Sequence, residues 1–484
     1  MSSPTAQSPY LYEQIASSLT ALIQEGTYRP GDRLPSVRQM SKQQDVSIST
    51  VLQAYLVLEN RGLIEARPQS GYYVRAPEFD RLPEPEALSL GTDPSHVSLN
   101  ELMMMIMRDT FNPELIQLGG VLPNVELLPT QRLNRILSRL IRQAGQEAHQ
   151  YELPPGLEEL RVQIAQRAFR IGCHFSPNDL VITSGATEAI DISLHAICKP
   201  GDIVAIESPM YFGTLQSLEV HDLRALEIPT HLHDGISLDA LKFAIEHNPV
   251  KAVLVISNFN NPLGSCIPDD KKKELVALLT AHDIPLIEND VSGEIYFGDK
   301  RPLTAKSYDT KGLVMLCSSF SKDISGGLRV GWVAPGRYKS KVEWLKVTAN
   351  VATATLPQMA VAEFLASGGY DHHLRQIRRE YARNVNLLTQ AVTRYFPPET
   401  RAARPSGGFV LWVQLPENVD SLELYKLALQ NNITIAPGYL FSATDQYSNY
   451  IRLNAAAWSY PIERAVERLG EAVGMLANAN KVAS

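Results

Sequence analysis

The sequence predicts two fold classes in one chain: a small α+β unit over residues 9–75 and a larger α/β domain with a mostly parallel central sheet over 99–480. Three observations carry this. At 484 residues the chain is too long for one ordinary domain. Three short amphipathic helical patterns and a hairpin pattern crowd into the first part. In the second part, DLVITSG, DIVAIESP, KAVLVISN, IPLIEND and GLVMLCSS are short Val- and Ile-rich runs, each leading toward a turn or helix, which is the rhythm of buried parallel strands.

In the small unit, Leu11, Ile15, Leu19, Leu22 and Ile23 recur at helical spacing and form one apolar stripe. GTYRPGDRLPS turns the chain, and SVRQMSKQQ makes a second helix. Ser47 is a good cap for a third helix with Val51, Ala54, Tyr55 and Leu58 facing inward. GLIEARPQSGYYVR closes the unit as two strands turning at Pro68–Gly71. Three helices and a hairpin make the winged helix-turn-helix pattern, whose third helix enters the major groove of DNA. Ser49, Thr50 and Gln53 then face base edges, and Arg33, Arg38 and Arg67 grip phosphates.

The next stretch, RAPEFDRLPEPEALSLGTDPSH, is rich in proline, acidic and small residues and reads as a linker over 76–98, with a joint near Pro83 and Pro85. LNELMMMIMRDTF follows as an apolar helix whose methionines suit core or dimer packing. The α/β region divides into a large part over about 130–345 and a smaller one over about 346–480 joined by the N-terminal segment.

Composition bounds the function. Hydrophobic residues at 44% and charged residues at 20% are those of a soluble globular protein, and no run approaches the ~18 apolar residues of a membrane span. MSSPTAQSPYLYEQ lacks a signal pattern, and the four cysteines stand far apart with no C-x-x-C, so a reducing cytoplasm without disulfide or zinc is expected. With a net charge of −7, any affinity for nucleic acid must come from a local patch.

The chemistry centres on CSSFSKDISGGLRVGW, which sets Lys322 among serines and glycines in an apolar setting. A lysine so placed suits a Schiff base with pyridoxal phosphate. That cofactor needs an anion cradle, a partner for its ring nitrogen, a donor to its phenolate oxygen and a stacking surface. VITSGATEAI ends a strand and opens a helix, so the N–H groups of Gly185, Ala186 and Thr187 face an anion. Ser319, Ser321 and Arg329 add hydroxyls and a fixed positive charge. Asn261 in NFNNPLG suits the phenolate oxygen, and Tyr211 in ESPMYFG suits the stacking face.

Two resemblances join these readings. The stretch from YRPGDRLPSVRQMS to RGLIEARPQSGYYV closely resembles the DNA-binding domain of GntR-type bacterial regulators. Residues 115–475, with YELPPGLEELR, SGGFVLW and IRLN beside the motifs above, resemble fold-type I pyridoxal-phosphate enzymes of the aspartate aminotransferase family. The latter resemblance implies that Tyr151 reaches the phosphate in a partner subunit, hence a homodimer, and that Arg452 holds a substrate or effector carboxylate. Where that family carries an aspartate on the ring nitrogen and a tyrosine three residues later, LIENDVSGEIYFG places Asn289 and Ser292. Asp290 is adjacent, but neighbouring side chains of a strand point to opposite faces. Together the two parts resemble the MocR subgroup of bacterial regulators. This implies a cytoplasmic homodimer that binds a double-stranded operator and senses an amine or amino acid by aldimine exchange at Lys322. The competing expectation is a working aminotransferase with an appended DNA-binding head.

Overall fold

The computed structural model describes residues 11–483 apart from 25–26, 29–30, 61–62, 68–69, 75–81, 89–90, 92, 98–100 and 445. The chain divides into two compact units, Met1–Arg81 and Leu82–Ser484.

The first unit has helices Leu11–Gln24, Val37–Gln44 and Ile48–Asn60, then an antiparallel pair of strands, Ile64–Arg67 and Gly71–Val74. Local chemistry sets the boundaries. Ser36 Oγ accepts from Gln39 N at 3.3 Å, and Ser47 Oγ accepts from Thr50 N at 3.1 Å, so both later helices start on a serine cap. Val51, Ala54, Tyr55 and Leu58 are fully buried against Ile15, Ala16 and Leu19. Tyr55 is satisfied inside this core by donating to the Pro35 carbonyl at 2.8 Å. Leu11 departs from the expected stripe: it opens the helix one turn beyond the core and stays 59% exposed. Of the expected hairpin turn, Pro68 and Gln69 lie outside the described residues.

The second unit is built on a large sheet whose five central strands run parallel in the order Arg224–His231, Ile203–Ser208, Val250–Val255, Leu286–Asn289, Val314–Ser319. All five predicted runs lie in this sheet; DLVITSG supplies Val181–Thr183, joined through the antiparallel strand Gly331–Ala334. Helices Ala186–Ile197 and Phe212–Val220 pack their apolar sides into one core, with Ile190, Leu194, Leu215 and Leu218. Helices Leu238–His247 and Asp269–Ala281 supply Leu241, Leu275 and Leu279 to another. Burial on both faces explains why these strands read as continuous apolar runs instead of alternating ones. A smaller antiparallel sheet, Arg401–Ala402, Val410–Gln414, Tyr450–Asn454 and Ala436–Pro437, carries the C-terminal part. Its core takes in Met103 and Ile106 from helix Glu101–Thr110, and Ile116–Gln117 pairs with Ile433–Thr434. The methionines divide: Met103 is buried, whereas Met104 and Met105 are exposed.

The linker needs correcting. The Pro83 carbonyl accepts from Ala402 N at 3.0 Å, Glu86 pairs with Arg401 at 2.8 Å, and Leu82 and Leu88 pack on the small-sheet core. Ser95–His96 adds an edge strand to the large sheet. Proline lacks only the N–H; its carbonyl and its apolar neighbours still anchor the chain. Pro83 and Pro85 therefore belong to the body, and the division between the two units falls just before them, at Arg81 and Leu82. Among the described residues no helix is long and apolar enough to cross a membrane.

Candidate functional site

The cofactor-type site forms where strand ends of the large sheet meet the small sheet. Strand Val181–Thr183 leads through Ser184 to Gly185, the residue before helix Ala186–Ile197, with φ of 91°. A Cβ there would lie 2.3 Å from Nη2 of Arg329, so the missing side chain is the space the guanidinium occupies. Arg329 donates to Ser184 O at 2.8 Å and to Ser321 Oγ at 3.4 Å. Glu188, one turn into the helix, accepts from Ser184 N at 2.5 Å and is held by Lys346 at 2.7 Å. This fixes the helix start, while Ala186 and Thr187 in its first turn line the cavity with N–H groups that have no intrahelical partner.

Lys322 lies in the same cavity, of about 260 Å³, with its Nζ donating to the Val121 carbonyl at 2.6 Å. Burial first, then the charges of Arg452 and Arg329, lower its pKa to about 8. Arg452, on strand Tyr450–Asn454, is 1% exposed. Its Nη1 donates to Asn261 Oδ1 at 3.0 Å and its Nη2 to the Gly119 carbonyl, but its buried Nε has no partner among the described residues. Burial lowers this guanidinium to about 10. The cavity is lined by Lys322, Arg329 and Arg452, and no acidic side chain is among its described lining residues. Three cations with no acidic side chain among the described lining make a site for anions, and the fully buried Arg452 gains most from one, since uncompensated buried charge is costly.

Asn289, 7% exposed, lines this cavity and accepts from Val291 N at 3.3 Å. Asp290 is held away by Arg301 at 2.5 Å and Asn258 at 2.8 Å. Tyr211, Asn261, Ser292, Ser319 and Ser321 line the same space. Tyr151 does not: it is 81% exposed. The residues present fit pyridoxal phosphate: a cradle in which Gly185 leaves room for Arg329, a lysine of lowered basicity, and a buried guanidinium with an orphaned nitrogen.

Sequence reasoning missed the near wall. Gly119, Gly120, Val121 and Leu122, with Met103, Ile106 and Met107, close the cavity on one side. The double glycine in QLGGV was the available signal: a Cβ on Gly119 would meet the Ile435 backbone at 2.7 Å, and one on Gly120 would meet Thr110 Cγ2 at 2.4 Å.

In the first unit, Arg33, Arg38, Ser49 and Gln53 are exposed. Thr50 is half-buried, and its hydroxyl is bonded to Ser47 at 2.7 Å, so it works as part of the cap. Arg67 pairs with Glu65 at 2.7 Å and lies 4.4 Å from the centre of the Tyr73 ring.

Comparison with known proteins gives a match to aminotransferase class I and II over residues 124–469 and to bacterial regulatory proteins of the gntR family over residues 11–74. The chain is 40% identical over 463 residues to the uncharacterized HTH-type transcriptional regulator YdcR of Escherichia coli, covering 96% of this chain and 98% of that one. It is 31% identical to the 2-aminoadipate transaminase of Thermus thermophilus, over 78% of this chain and 94% of that enzyme. The crystal structure of LysN, the α-aminoadipate aminotransferase of Thermus thermophilus complexed with N-(5′-phosphopyridoxyl)-L-leucine, superposes with a TM-score of 0.73 at 29% identity, covering 77% of this chain and 95% of that one. Pyridoxal 5′-phosphate is the cofactor that the family match implies.

Proposed function

Since this chain belongs to the class I and II aminotransferase family and carries a gntR-family head, as a transcriptional regulator with an aminotransferase-like body, we propose that it senses an amino acid through its cofactor. The observation that carries the reading is the acid-free cavity holding Lys322, Arg329 and Arg452. Bound there, pyridoxal phosphate supplies an aldehyde that forms a reversible imine with an amine. Arg329, Ser319, Ser321 and the helix start at Ala186 and Thr187 grip its phosphate. Asn261 and Tyr211 face its ring. Lys322 would hold the aldehyde when no effector is bound, and its Nζ would be the amine that an effector's amino group replaces. Arg452 orients the effector by its carboxylate, the natural partner of a guanidinium whose Nε is unused. Met103, Ile106, Phe212 and Leu440 line the rest of the space, which suits an uncharged side chain.

Asn289 favours sensing over turnover. A carboxylate on the ring nitrogen holds its proton, and the resulting cation is the electron sink for a carbanion; neutral asparagine bonds the nitrogen without that charge. A hydrogen bond to a charged group contributes roughly 1.5–3 kcal/mol. Its loss lowers the rate by about one to two orders of magnitude. Amine exchange needs little of that sink. The exposed Tyr151 and solvent-facing Arg329 support a homodimer in which the partner closes the phosphate site. In such a dimer, an effector shifts operator binding by its differential affinity for two conformations. The cytoplasm is the compartment in which such a regulator meets its operator.

The alternative reading, a working aminotransferase with an appended head, is favoured by the likeness to 2-aminoadipate transaminase. Titration of the holoprotein with amino acids separates the two. The expected result is a stoichiometric shift of the cofactor band that stops short of the pyridoxamine form, with Arg452→Ala weakening the response about tenfold or more while retaining the cofactor. Conversion to the pyridoxamine form with turnover on a keto acid would establish the enzyme. A colourless protein with no absorbance change on added pyridoxal phosphate would end both readings.

A further inference from the structure

The third helix of the head, ISTVLQAYLVLEN, contains no lysine or arginine, and its single charge is Glu59 near its end. Ile48, Leu52 and Leu56 stand 49%, 41% and 49% exposed at i, i+4 and i+8 along one side of it. Gln53 stands beside Leu52, exposed and without a hydrogen-bond partner among the described residues. The hydroxyls of Ser49 and Thr50 are both bonded to Ser47, at 2.8 and 2.7 Å. The groups left to touch base edges in the first two turns are therefore two branched apolar side chains and one amide.

The major groove assigns each of these a target. Guanine is read by arginine or lysine, and cytosine N4 by a carboxylate; this stretch of helix offers neither. A glutamine amide matches adenine N6 and N7, and an apolar side chain matches the thymine C5 methyl. The described cations nearest the helix in sequence, Arg33, Arg38 and Lys42 before it and Arg67 after it, lie on the preceding loop and helix and on the following strand, where they suit phosphates. We infer that the head reads A·T pairs, with Ile48 and Leu52 against thymine methyls and Gln53 on adenine. This rests on DNA binding through the third helix. It goes further by naming the bases and by explaining why an exposed apolar stripe is kept on the helix: its occupant is the methyl-lined floor of a groove.

The test uses the full-length chain. Selection from a random duplex library is expected to yield a motif with A·T pairs at its core. Replacing single thymines of that motif by deoxyuridine, which removes only the methyl, should weaken binding about fourfold at one or two positions, the value of one buried carbon. Ile48→Ala or Leu52→Ala should abolish the difference between thymine and deoxyuridine at its own position. Gln53→Ala should keep that difference and relax the preference for adenine. Both apolar residues are exposed, so the variants should melt like the parent. A guanine-based core motif, or deoxyuridine tolerated at every position, overturns the inference. It is equally overturned if Leu52→Ala changes the association state of the protein and leaves the motif untouched, which would assign the stripe to a protein face. Failure of the library to enrich any motif would remove sequence-specific DNA binding itself.

Discussion

Lys322 shows how much a single side chain depends on its surroundings. An ordinary lysine titrates at 10.5, whereas burial and two guanidiniums bring this one to about 8. Near neutral pH that raises the fraction of neutral, nucleophilic amine by about two orders of magnitude. The sign is fixed: the folded apo-protein gives up this proton more readily than the unfolded chain. Its stability should thus rise with pH between about 8 and 10.5 as the buried charge is relieved. The rate at which apo-protein captures pyridoxal phosphate should climb about tenfold per pH unit below 8 and level off above it; stopped-flow absorbance would show this. A rate still climbing at pH 10 would mean an unperturbed lysine. At the neighbouring strand, Asn289→Asp should raise any transamination by about tenfold or more, measured as keto-acid-dependent single turnovers. No rise would remove residue 289 from the ring nitrogen. Asp290, the first residue past the strand, gives no substitute, being committed to Arg301 and Asn258.

At the scale of elements, the proposed phosphate cradle is a junction of a strand, a helix start and a returning loop. Gly331 packs so closely that a Cβ on it would sit 2.5 Å from the Gly185 carbonyl carbon. Gly185 leaves the space that Arg329 fills. Gly185→Ala combines a positive φ with a collision, so Arg329 must leave, and affinity for pyridoxal phosphate should fall about tenfold or more. Equilibrium dialysis measures it; unchanged affinity would show that Arg329 does not carry the phosphate. Buried carboxylates brace the surrounding loops. Glu207 accepts from Ile256 N at 2.6 Å and Asn260 Nδ2 at 2.9 Å, fixing the turn that carries Asn261, and burial raises its pKa to about 8. Glu288 likewise accepts from Ser257 Oγ at 2.5 Å and from the N–H groups of Ala305 and Lys306.

For the whole molecule, charge decides how DNA binding is to be tested. The chain carries −7 overall, and residues 11–74 hold six lysines and arginines against six acids. Net attraction is therefore weak, and the position of each cation matters more than the sum. Arg38→Ala should weaken binding to all duplexes alike and lower the salt slope by about one in log–log terms. A slope that does not change would take Arg38 out of the phosphate contacts. The gntR-family head and the aminotransferase-like body are separate compact units that meet in the chain at Arg81 and Leu82.

What the sequence determined alone were the features written in short, contiguous stretches. Strand runs, the cap at Ser47, the glycine before helix Ala186–Ile197 and the lysine among serines each act through neighbours a few residues away. Strand alternation also anticipated that Asn289 would line the cavity and that Asp290, just past the strand, would not. Tertiary structure decided the rest. That Arg452 lacks an acidic partner among the described residues, that Gly119–Leu122 and helix Glu101–Thr110 wall the cavity, and that Pro83 is anchored to Ala402 depend on segments hundreds of residues apart in the chain. The physical reason is that burial and pairing are properties of the space around a group. That space is filled by whatever the fold brings there, and no local pattern records it.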